Sequence, residues 1–228
     1  MCGRYVLKAS PAELQKVFHL EHVPEALPPR FNIAPLQAAP VILDAAPGEL
    51  TVARWGLLPH WAKETKVASR MINARAETLA KKTVFRELLP RHRCLVPCDG
   101  FYEWKRSGRA REPHFIHAKS GELLAMAGLW SRWRSPDGLD VITFTIITSA
   151  ANELVRSLHD RMPVFLDEEG RRRWLSGPAY DLAALEQLLR PWHGAPLTEY
   201  AVTPHVNKVA FDDPSCLEPA HTVQLSLL

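Results

Sequence analysis

The chain has 228 residues, of which 46% are hydrophobic and 23% charged, as in ordinary globular proteins with a sizeable apolar core. Its formal net charge of +3 permits binding to nucleic acid without requiring it. No apolar run approaches the ~18 residues of a membrane span, and the first 25 residues lack the basic start and apolar stretch of a signal peptide. We therefore expect a cytoplasmic protein whose four cysteines are reduced.

The first part of the chain predicts a helix, an irregular loop and a pair of strands. Ser10 is a good N-cap, Pro11 suits the first helical position and Glu13 completes a capping box, so a helix should run to about His19. The proline-rich passage 24–40 predicts an ordered loop. We then predict strands at Val41–Leu43 and Thr51–Trp55, joined through Pro47-Gly48, and helices at Ala76–Lys82 and Thr83–Leu89.

The middle of the chain changes to short strand-like runs separated by Gly- and Pro-containing turns, which predict an antiparallel meander. These strands are Arg93–Pro97, Gly100–Lys105, His114–Ala118, Leu123–Trp130 and Leu139–Thr148. After them we predict a helix from Ser149 or Ala150 to Leu158, a strand at Met162–Leu166, helices at Glu168–Leu175 and Asp181–Leu189, and a strand at Tyr200–Val206. No repeat or linker divides the chain, so we predict a single α+β domain over residues 1–228, with a curved antiparallel sheet and surrounding helices.

Cys2 has a chemistry that no internal cysteine has. If Met1 is removed, Cys2 carries a free α-amine and a thiol on adjacent carbons. The amine is more often neutral near pH 7 than a lysine amine, and it can form an imine with an aldehyde. The thiol can then close a five-membered thiazolidine ring on the same carbon. Position alone leaves open the ordinary alternative, a buried and unreactive cysteine.

Three other residues are candidates for acid–base chemistry, each with a plain structural alternative. Glu103 lies in a predicted strand; if it faces inward with Phe101, burial raises its pKa and suits it to proton transfer, but it could instead be exposed and paired with Lys105 or Arg106. His159 ends a predicted helix, where it can shuttle protons or merely complement the helix dipole. Asn73 precedes a predicted helix and either orients a reacting group or acts as an N-cap.

Arginines and tryptophans suggest a surface for single-stranded nucleic acid, because bases stack on aromatic rings while guanidinium groups hold phosphates. Trp55 and Trp61 lie in a Gly- and Pro-containing loop, and the alternative is that both are core residues beside a solvated basic surface. Cys94 and Cys98 have no second close cysteine pair, so we predict no metal site. Glycine-rich phosphate loops are absent as well.

Taken together, several segments resemble the SRAP (SOS-response-associated peptidase) family, whose members are also described as abasic-site processing or shielding proteins. The matching segments are Met1-Cys2-Gly3-Arg4-Tyr5, Asn32-Ile33-Ala34-Pro35, the loop from Trp55-Gly56-Leu57 through Pro59 to Trp61, Asn73-Ala74-Arg75-Ala76-Glu77-Thr78, Arg93-Cys94 to Pro97, Gly100-Phe101-Tyr102-Glu103-Trp104, and His159-Asp160-Arg161-Met162-Pro163. They extend in order over residues 1 to about 165. The resemblance implies a barrel-like antiparallel sheet.

The resemblance also implies a function and roles for residues. It implies that the protein senses abasic sites in single-stranded DNA and that Cys2, after Met1 removal, forms a thiazolidine crosslink with the C1′ aldehyde of the ring-opened deoxyribose. Glu103 would transfer protons, His159 would assist opening of the sugar ring, and Asn73 would position the sugar. The implied DNA contacts are Arg4, Pro35, Trp61, Arg75, Arg86, Thr148 and Arg161.

The expected partner is therefore single-stranded DNA with abasic sites, including junctions with duplex DNA, and the expected state is a DNA-associated monomer that needs no cofactor. Lyase cleavage of a C–O bond and autocatalytic removal of Met1 also fit the resemblance. Two alternative functions stay open: a cysteine (auto)peptidase, and a binding module that holds single strands without chemistry.

Overall fold

The computed structural model describes residues 2–108, 110–176 and 182–220. The strands are β1 (Tyr5–Leu7), β2 (Arg30–Ile33), β3 (Ala38–Leu43), β4 (Ala46–Trp55), β5 (Asn73–Arg75), β6 (Arg93–Cys98), β7 (Gly100–Ser107), β8 (Ala110–Ala118), β9 (Leu124–Arg134), β10 (Asp140–Ala150), β11 (Arg161–Pro163) and β12 (Leu197–Ala201). The α-helices are α1 (Pro11–Phe18), α2 (Thr83–Leu88), α3 (Glu153–Arg156), α4 (Glu168–Leu175) and α5 (Leu182–Leu188). Within the described ranges, no helix has the length and apolar character needed to cross a membrane.

Five of the strands close into a barrel. Their order is β10-β4-β3-β6-β9, and β9 pairs back to β10, so the ring is complete. Neighbours in the ring are antiparallel except β10 and β4, which run parallel where Thr143 and Phe144 lie opposite Arg54 and Trp55. The short strands β5 and β11 also pair with β10. Among the described residues, β10 therefore pairs with four strands: β4, β5, β9 and β11.

A second sheet carries the N-terminal strand. Its order is β12-β8-β7-β1-β2, with antiparallel neighbours throughout. β1 lies between β2 and β7, where Tyr5 is opposite both Ile33 and Phe101. This register places the residues before Tyr5 alongside the part of β7 that contains Glu103.

One hydrophobic cluster joins the barrel to the second sheet. It includes Tyr5 and Phe101 from the second sheet together with Trp55 and Phe144 from the barrel. The Tyr5 ring meets the Trp55 ring edge-on at 5.3 Å between centroids, and Trp55 stacks on Phe144 at 6.4 Å. Such aromatic contacts fix the relative position of the two sheets.

The predicted fold class is confirmed, and so are the elements with local sequence signals. Helix α1 begins with the predicted capping box at Ser10 and Glu13, and α4 has the predicted bounds. The predicted loop at 24–40 is wrong in part, because β2 and the first residues of β3 lie within it. β2 pairs with β1, and its backbone N–H groups at Phe31 and Asn32 bond to Asp212, about 180 residues away in sequence.

Other predicted elements also need correction. The β3–β4 turn lies at Asp44-Ala45, so Pro47 and Gly48 are inside β4. The predicted helix Ala76–Lys82 is only a 3₁₀ turn at Ala76–Thr78, and β10 continues to Ala150, which shortens the predicted helix after it to α3.

The remaining differences concern the strands. The predicted meander is wrong because β7 and β8 belong to the second sheet, whereas β6, β9 and β10 belong to the barrel. The last strand ends at Ala201, and Pro204–Asn207 form a 3₁₀ helix. The predicted start of α5 at Asp181 lies outside the described residues.

Candidate functional site

The β1 strand fixes Cys2 at the edge of the shared core. Cys2 is fully buried, and its Sγ lies 4.0 Å from the carbonyl oxygen of Arg4. The end of β1 is anchored by Asp99, whose Oδ2 accepts hydrogen bonds from the backbone N–H groups of Lys8 and Ala9 at 2.7 and 3.2 Å. The Cys2 backbone thus has a defined position relative to β7.

Asn73 contacts Cys2 directly. It is the first residue of β5, where it lies opposite Ile146 of β10 in parallel register. Its Nδ2 donates a hydrogen bond to the Cys2 carbonyl oxygen at 2.8 Å. Its Oδ1 is buried and has no hydrogen-bond partner among the described residues. The alternative that Asn73 caps a helix is wrong, because the residue belongs to a strand.

Glu103 is buried on the inward face of β7, with 3% of its surface exposed. The alternative of an exposed glutamate paired with Lys105 or Arg106 is therefore wrong. Burial raises the pKa of the Glu103 carboxyl, and the nearby His159 opposes that shift. Burial is also the main cause of the raised pKa of the Cys2 thiol, to which the charge of Glu103 adds. The carboxyl therefore acts on the pKa of the thiol, and the imidazole acts on the pKa of the carboxyl.

His159 follows α3 and is held by the backbone of β11. The N–H of Arg161 donates to His159 Nδ1 at 2.9 Å, so the neutral ring carries its hydrogen on Nε2. The Asp160 Oδ1 lies 2.9 Å from the same Nδ1. Because the Asp160 side chain is 86% exposed, we assign the tautomer of the neutral ring from the contact with the backbone N–H of Arg161.

The Arg161 side chain is clamped between two segments. Its Nη1 and Nη2 donate to the two carboxylate oxygens of Glu77 at 2.6 and 2.9 Å, and Nη2 also donates to the Thr148 carbonyl oxygen at 2.6 Å. The Arg161 guanidinium lowers the pKa of Glu77, so this carboxylate stays ionised at neutral pH. Thr148 itself is fully buried, and its Oγ1 accepts from Arg161 Nη2 at 3.3 Å.

The other residues expected to contact DNA lie in different surroundings. Arg4 is half-buried, and its Nη1 donates to Asn32 Oδ1 at 2.8 Å and to the Val206 carbonyl oxygen at 2.5 Å. Trp61 is 59% exposed, whereas Trp55 is buried, so the two tryptophans of the loop separate into one surface and one core residue.

The remaining residues expected to contact DNA lie on different elements and differ in exposure. Arg75 is exposed and follows Asn73 on β5, opposite Thr148. Pro35 is half-buried in the turn after β2. Arg86 is exposed on α2, which packs against β9. Within the described residues, no hydrogen bond, ion pair or ring contact joins Pro35, Trp61 or Arg86 to Cys2.

Sequence reasoning missed the structural partners of two arginines. Asn32 is fully buried, holds Arg4 through Oδ1 and donates from Nδ2 to the Phe211 carbonyl oxygen at 2.7 Å. Glu77 binds Arg161 as described above. Both belong to segments that carried the family resemblance, but neither residue type alone indicates which arginine it meets.

Cys94 and Cys98 are buried in β6, and burial raises the pKa of both thiols. Across residues 2–108, 110–176 and 182–220, no group of three or more His, Cys, Asp or Glu side chains is arranged to hold a metal ion.

Comparison with known proteins identifies the family. The family model described as SOS response associated peptidase (SRAP) matches residues 1–209. The abasic site processing protein YoqW of Bacillus subtilis (strain 168) is 40% identical over 222 residues, which cover 96% of this chain and 99% of YoqW. The abasic site processing protein HMCES of Gallus gallus is 33% identical over 224 residues, or 84% of this chain and 66% of HMCES.

A solved structure agrees with these matches. A protein from Bacteroides thetaiotaomicron superposes with a TM-score of 0.85 at 27% identity, covering 96% of this chain and all of that one. A protein from Bordetella bronchiseptica gives a TM-score of 0.74 at 27% identity, covering 89% of this chain and 100% of its own. The chain therefore belongs to the SOS response associated peptidase (SRAP) family.

Proposed function

We propose that the protein recognises abasic sites in single-stranded DNA and shields them by forming a covalent crosslink through Cys2 after Met1 is removed. The proposal is carried by the surroundings of Cys2. Asn73 donates a hydrogen bond to its carbonyl oxygen, the charge of Glu103 acts on its thiol, and the charge of His159 acts on Glu103. The relatives named as abasic site processing proteins support the choice of substrate.

The proposed reaction joins one aldehyde to both nucleophiles of Cys2. The α-amine adds to the C1′ aldehyde of the ring-opened sugar, and loss of water gives an imine. The sulfur then bonds to the same carbon while the thiol proton ends on the nitrogen, so the net products are a thiazolidine and one water. Because burial raises its pKa, Glu103 holds a proton more readily than an exposed carboxyl does, so it can donate a proton to the leaving hydroxyl and take it back.

Asn73 and His159 have supporting roles in this scheme. The Asn73 Nδ2 holds the Cys2 carbonyl, which orients the terminal residue, and its buried Oδ1 is an acceptor for a sugar hydroxyl. Neutral His159 carries its hydrogen on Nε2 and can donate a hydrogen bond from it to the ring oxygen O4′. The proton that O4′ gains as the sugar opens comes from the imidazolium form of the ring, which returns to the neutral ring, while the C1′ hydroxyl loses its proton to solvent. Holding the aldehyde beside the amine supplies much of the rate, because the reaction becomes effectively intramolecular.

The proposed DNA path uses cationic and aromatic groups around this site. Exposed Arg75 and Arg86 can contact phosphates, and Trp61 can stack on a base or block a continuing duplex at a junction. Arg4 and Arg161 are largely occupied by protein partners, although Arg161 Nη1 keeps one N–H without a partner among the described residues. Buried Thr148 acts through Arg161. In this scheme the protein works as a DNA-associated monomer in the cytoplasm.

Incubation with an oligonucleotide that contains one abasic site tests the proposal. The wild-type protein should give a complex that survives denaturation, and mass analysis should locate the DNA on the peptide that begins with Cys2. Cys2→Ser should bind the DNA but lose the thiazolidine. Cys216→Ser is the matched control, because its Sγ donates to the Phe211 carbonyl oxygen, a contact that serine can keep.

The outcomes separate the competing functions. If the wild type binds the oligonucleotide but forms no covalent complex, the chain is a binding module and the crosslinking proposal is wrong. The intact mass of a Cys2→Ala variant addresses the peptidase: loss of Met1 from this variant argues against self-cleavage by Cys2. Retention of Met1 in wild-type protein from native cells would contradict the crosslink chemistry, since the nitrogen would still be an amide.

A further inference from the structure

We propose that Glu77 is a positioning residue that holds the imidazole of His159 in its working orientation and tautomer by clamping Arg161. The proposal rests on the function proposed above and adds a residue to it. Glu77 lies in the 3₁₀ turn after β5, and His159 lies before β11. Arg161 contacts both, Glu77 through its guanidinium and His159 through its backbone N–H.

The first half of this connection is the ion pair itself. Glu77 meets Arg161 with two parallel N–H···O bonds of 2.6 and 2.9 Å, the bidentate geometry in which guanidinium and carboxylate bind most strongly. The Arg161 side chain is 12% exposed and has a third acceptor in the Thr148 carbonyl oxygen, so its position is tightly defined. The Arg161 Nε is buried without a hydrogen-bond partner among the described residues. Glu77 is therefore the main electrostatic partner of the Arg161 guanidinium.

The second half is the backbone of the same residue. The Arg161 N–H donates to His159 Nδ1 at 2.9 Å, and this bond determines which ring nitrogen carries the hydrogen. The Asp160 Oδ1 lies equally close to Nδ1, at 2.9 Å. A displacement of Arg161 would therefore release His159 to Asp160 and remove the hydrogen bond that fixes the neutral tautomer.

The charge of Glu77 distinguishes this role from a role in DNA binding. Arg161 and Arg75 both lower the pKa of the Glu77 carboxyl, so Glu77 lies near two residues that we expect to contact DNA phosphates. A negative charge there repels DNA. Glu77→Gln should therefore leave DNA affinity unchanged or raise it while slowing the step that uses His159, and a purely structural or DNA-binding role does not predict this separation.

Single-turnover crosslinking over a range of protein concentrations measures affinity and maximal rate separately. We expect Glu77→Gln to lower the maximal rate by between about tenfold and a hundredfold, the usual effect of misplacing a reacting group. The Kd for abasic DNA should stay level or fall. Glu169→Gln is the matched control, because Glu169 makes the same bidentate pair with Arg172 at 2.7 and 2.9 Å on the exposed face of α4.

Two further measurements test whether the effect passes through His159. In a His159→Ala background, Glu77→Gln should lower the rate no further, since coupled residues are not additive. In protein with ¹⁵N-labelled histidine and no DNA, the His159 resonances should show hydrogen on Nε2, and Glu77→Gln should weaken that preference while Glu169→Gln leaves it intact.

An unchanged rate in Glu77→Gln, or the same loss with and without His159, would overturn the inference. If wild-type protein forms no crosslink at all, the proposed function fails, and the histidine resonances then decide the positioning role independently. Should Glu77→Gln fail to fold, Glu77→Asp keeps the charge but is one methylene shorter, and it should give a smaller rate loss by the same route.

Discussion

Glu103 shows how the surroundings of one side chain decide its chemistry. Its strand position is compatible with an exposed glutamate or with a buried acid, and only its burial in the folded molecule selects the second. Burial disfavours the charged carboxylate and raises the pKa, which is the property that a proton-transfer group needs. The same burial lowers the stability of the folded protein when the Glu103 carboxyl is ionised.

Replacing Glu103 by glutamine should therefore have opposite effects on activity and stability. Glutamine has the same shape but no charge, so the crosslinking rate should fall by roughly 10²–10⁴-fold. The folded-state pKa is raised, so wild-type stability declines as pH rises from the unfolded pKa through the folded one. Denaturant titrations at several pH values should show Glu103→Gln equal to wild type in acid and more stable at pH 8; a variant less stable at pH 8 would contradict this account.

Asn73 was identified as a candidate from its type and position, but its partner was not predictable. An asparagine before a helical pattern is commonly an N-cap, and the segment that follows Asn73 has such a pattern. The parallel pairing of β5 with β10 instead makes Asn73 a strand residue aimed at the Cys2 carbonyl. This pairing joins residues 73 and 146, which no local rule connects.

Among the elements, β1 matters most for the site because Cys2 lies three residues before its start. It has only three residues, and β2 and β7 hold it from both sides. Beyond its end, Asp99 accepts the backbone N–H groups of Lys8 and Ala9 and pairs with the Lys8 Nζ at 3.1 Å. The Asp99 side chain is 11% exposed, so few water molecules could replace it.

Asp99→Ala should therefore loosen β1. Two backbone N–H groups lose their acceptor, which costs about 1–3 kcal/mol of unfolding free energy measured in urea. Crosslinking should slow as well, because Cys2 is then held less firmly. Asp99→Asn retains an acceptor oxygen, so its unfolding free energy and its crosslinking rate should fall less than those of Asp99→Ala. Asp137→Ala, in an exposed turn, is the control; equal losses from Asp99→Ala and Asp137→Ala would show that the anchor is unimportant.

For the whole molecule, we propose that the barrel and the second sheet form one domain. The proposal is supported by the hydrophobic cluster that contains Tyr5 and Phe101 together with Trp55 and Phe144. Barrel closure also depends on Gly128, since a Cβ there would lie 2.8 Å from both Cys94 Sγ and the Thr145 carbonyl oxygen. A glycine at this point lets β9 approach both of its neighbours.

Gly128→Ala tests this proposal. The added methyl group should cost about 1–3 kcal/mol, as overpacking does in other cores. If the molecule is one cooperative unit, tryptophan fluorescence and far-ultraviolet circular dichroism should give coincident transitions in wild type and the same shift in the variant. The Cβ of Gly48→Ala would lie at an ordinary 3.5 Å from Glu21 Cδ, so this variant should shift neither the fluorescence transition nor the circular dichroism transition. Separated transitions would indicate two independent units.

The amino-acid sequence was sufficient for features that depend on neighbouring residues and on residue type. Helix α1 follows from its capping box, α4 from its helical pattern, and the strands β7 to β10 from apolar runs between turn residues. The segments at Cys2, Asn73, Glu103 and His159 likewise predicted the family, which the comparisons confirm.

The sequence was not sufficient where a structure depends on distant partners. β2 is bonded to Asp212, and the barrel closes through the parallel contact of β4 with β10. Arg161, whose backbone N–H contacts His159, is clamped by Glu77. Hydrogen bonds and burial of this kind form between residues far apart in the chain, so they exist only once the fold has brought the partners together. The roles of the site residues accordingly stay predictions, while the contacts that would serve those roles are features of the folded molecule.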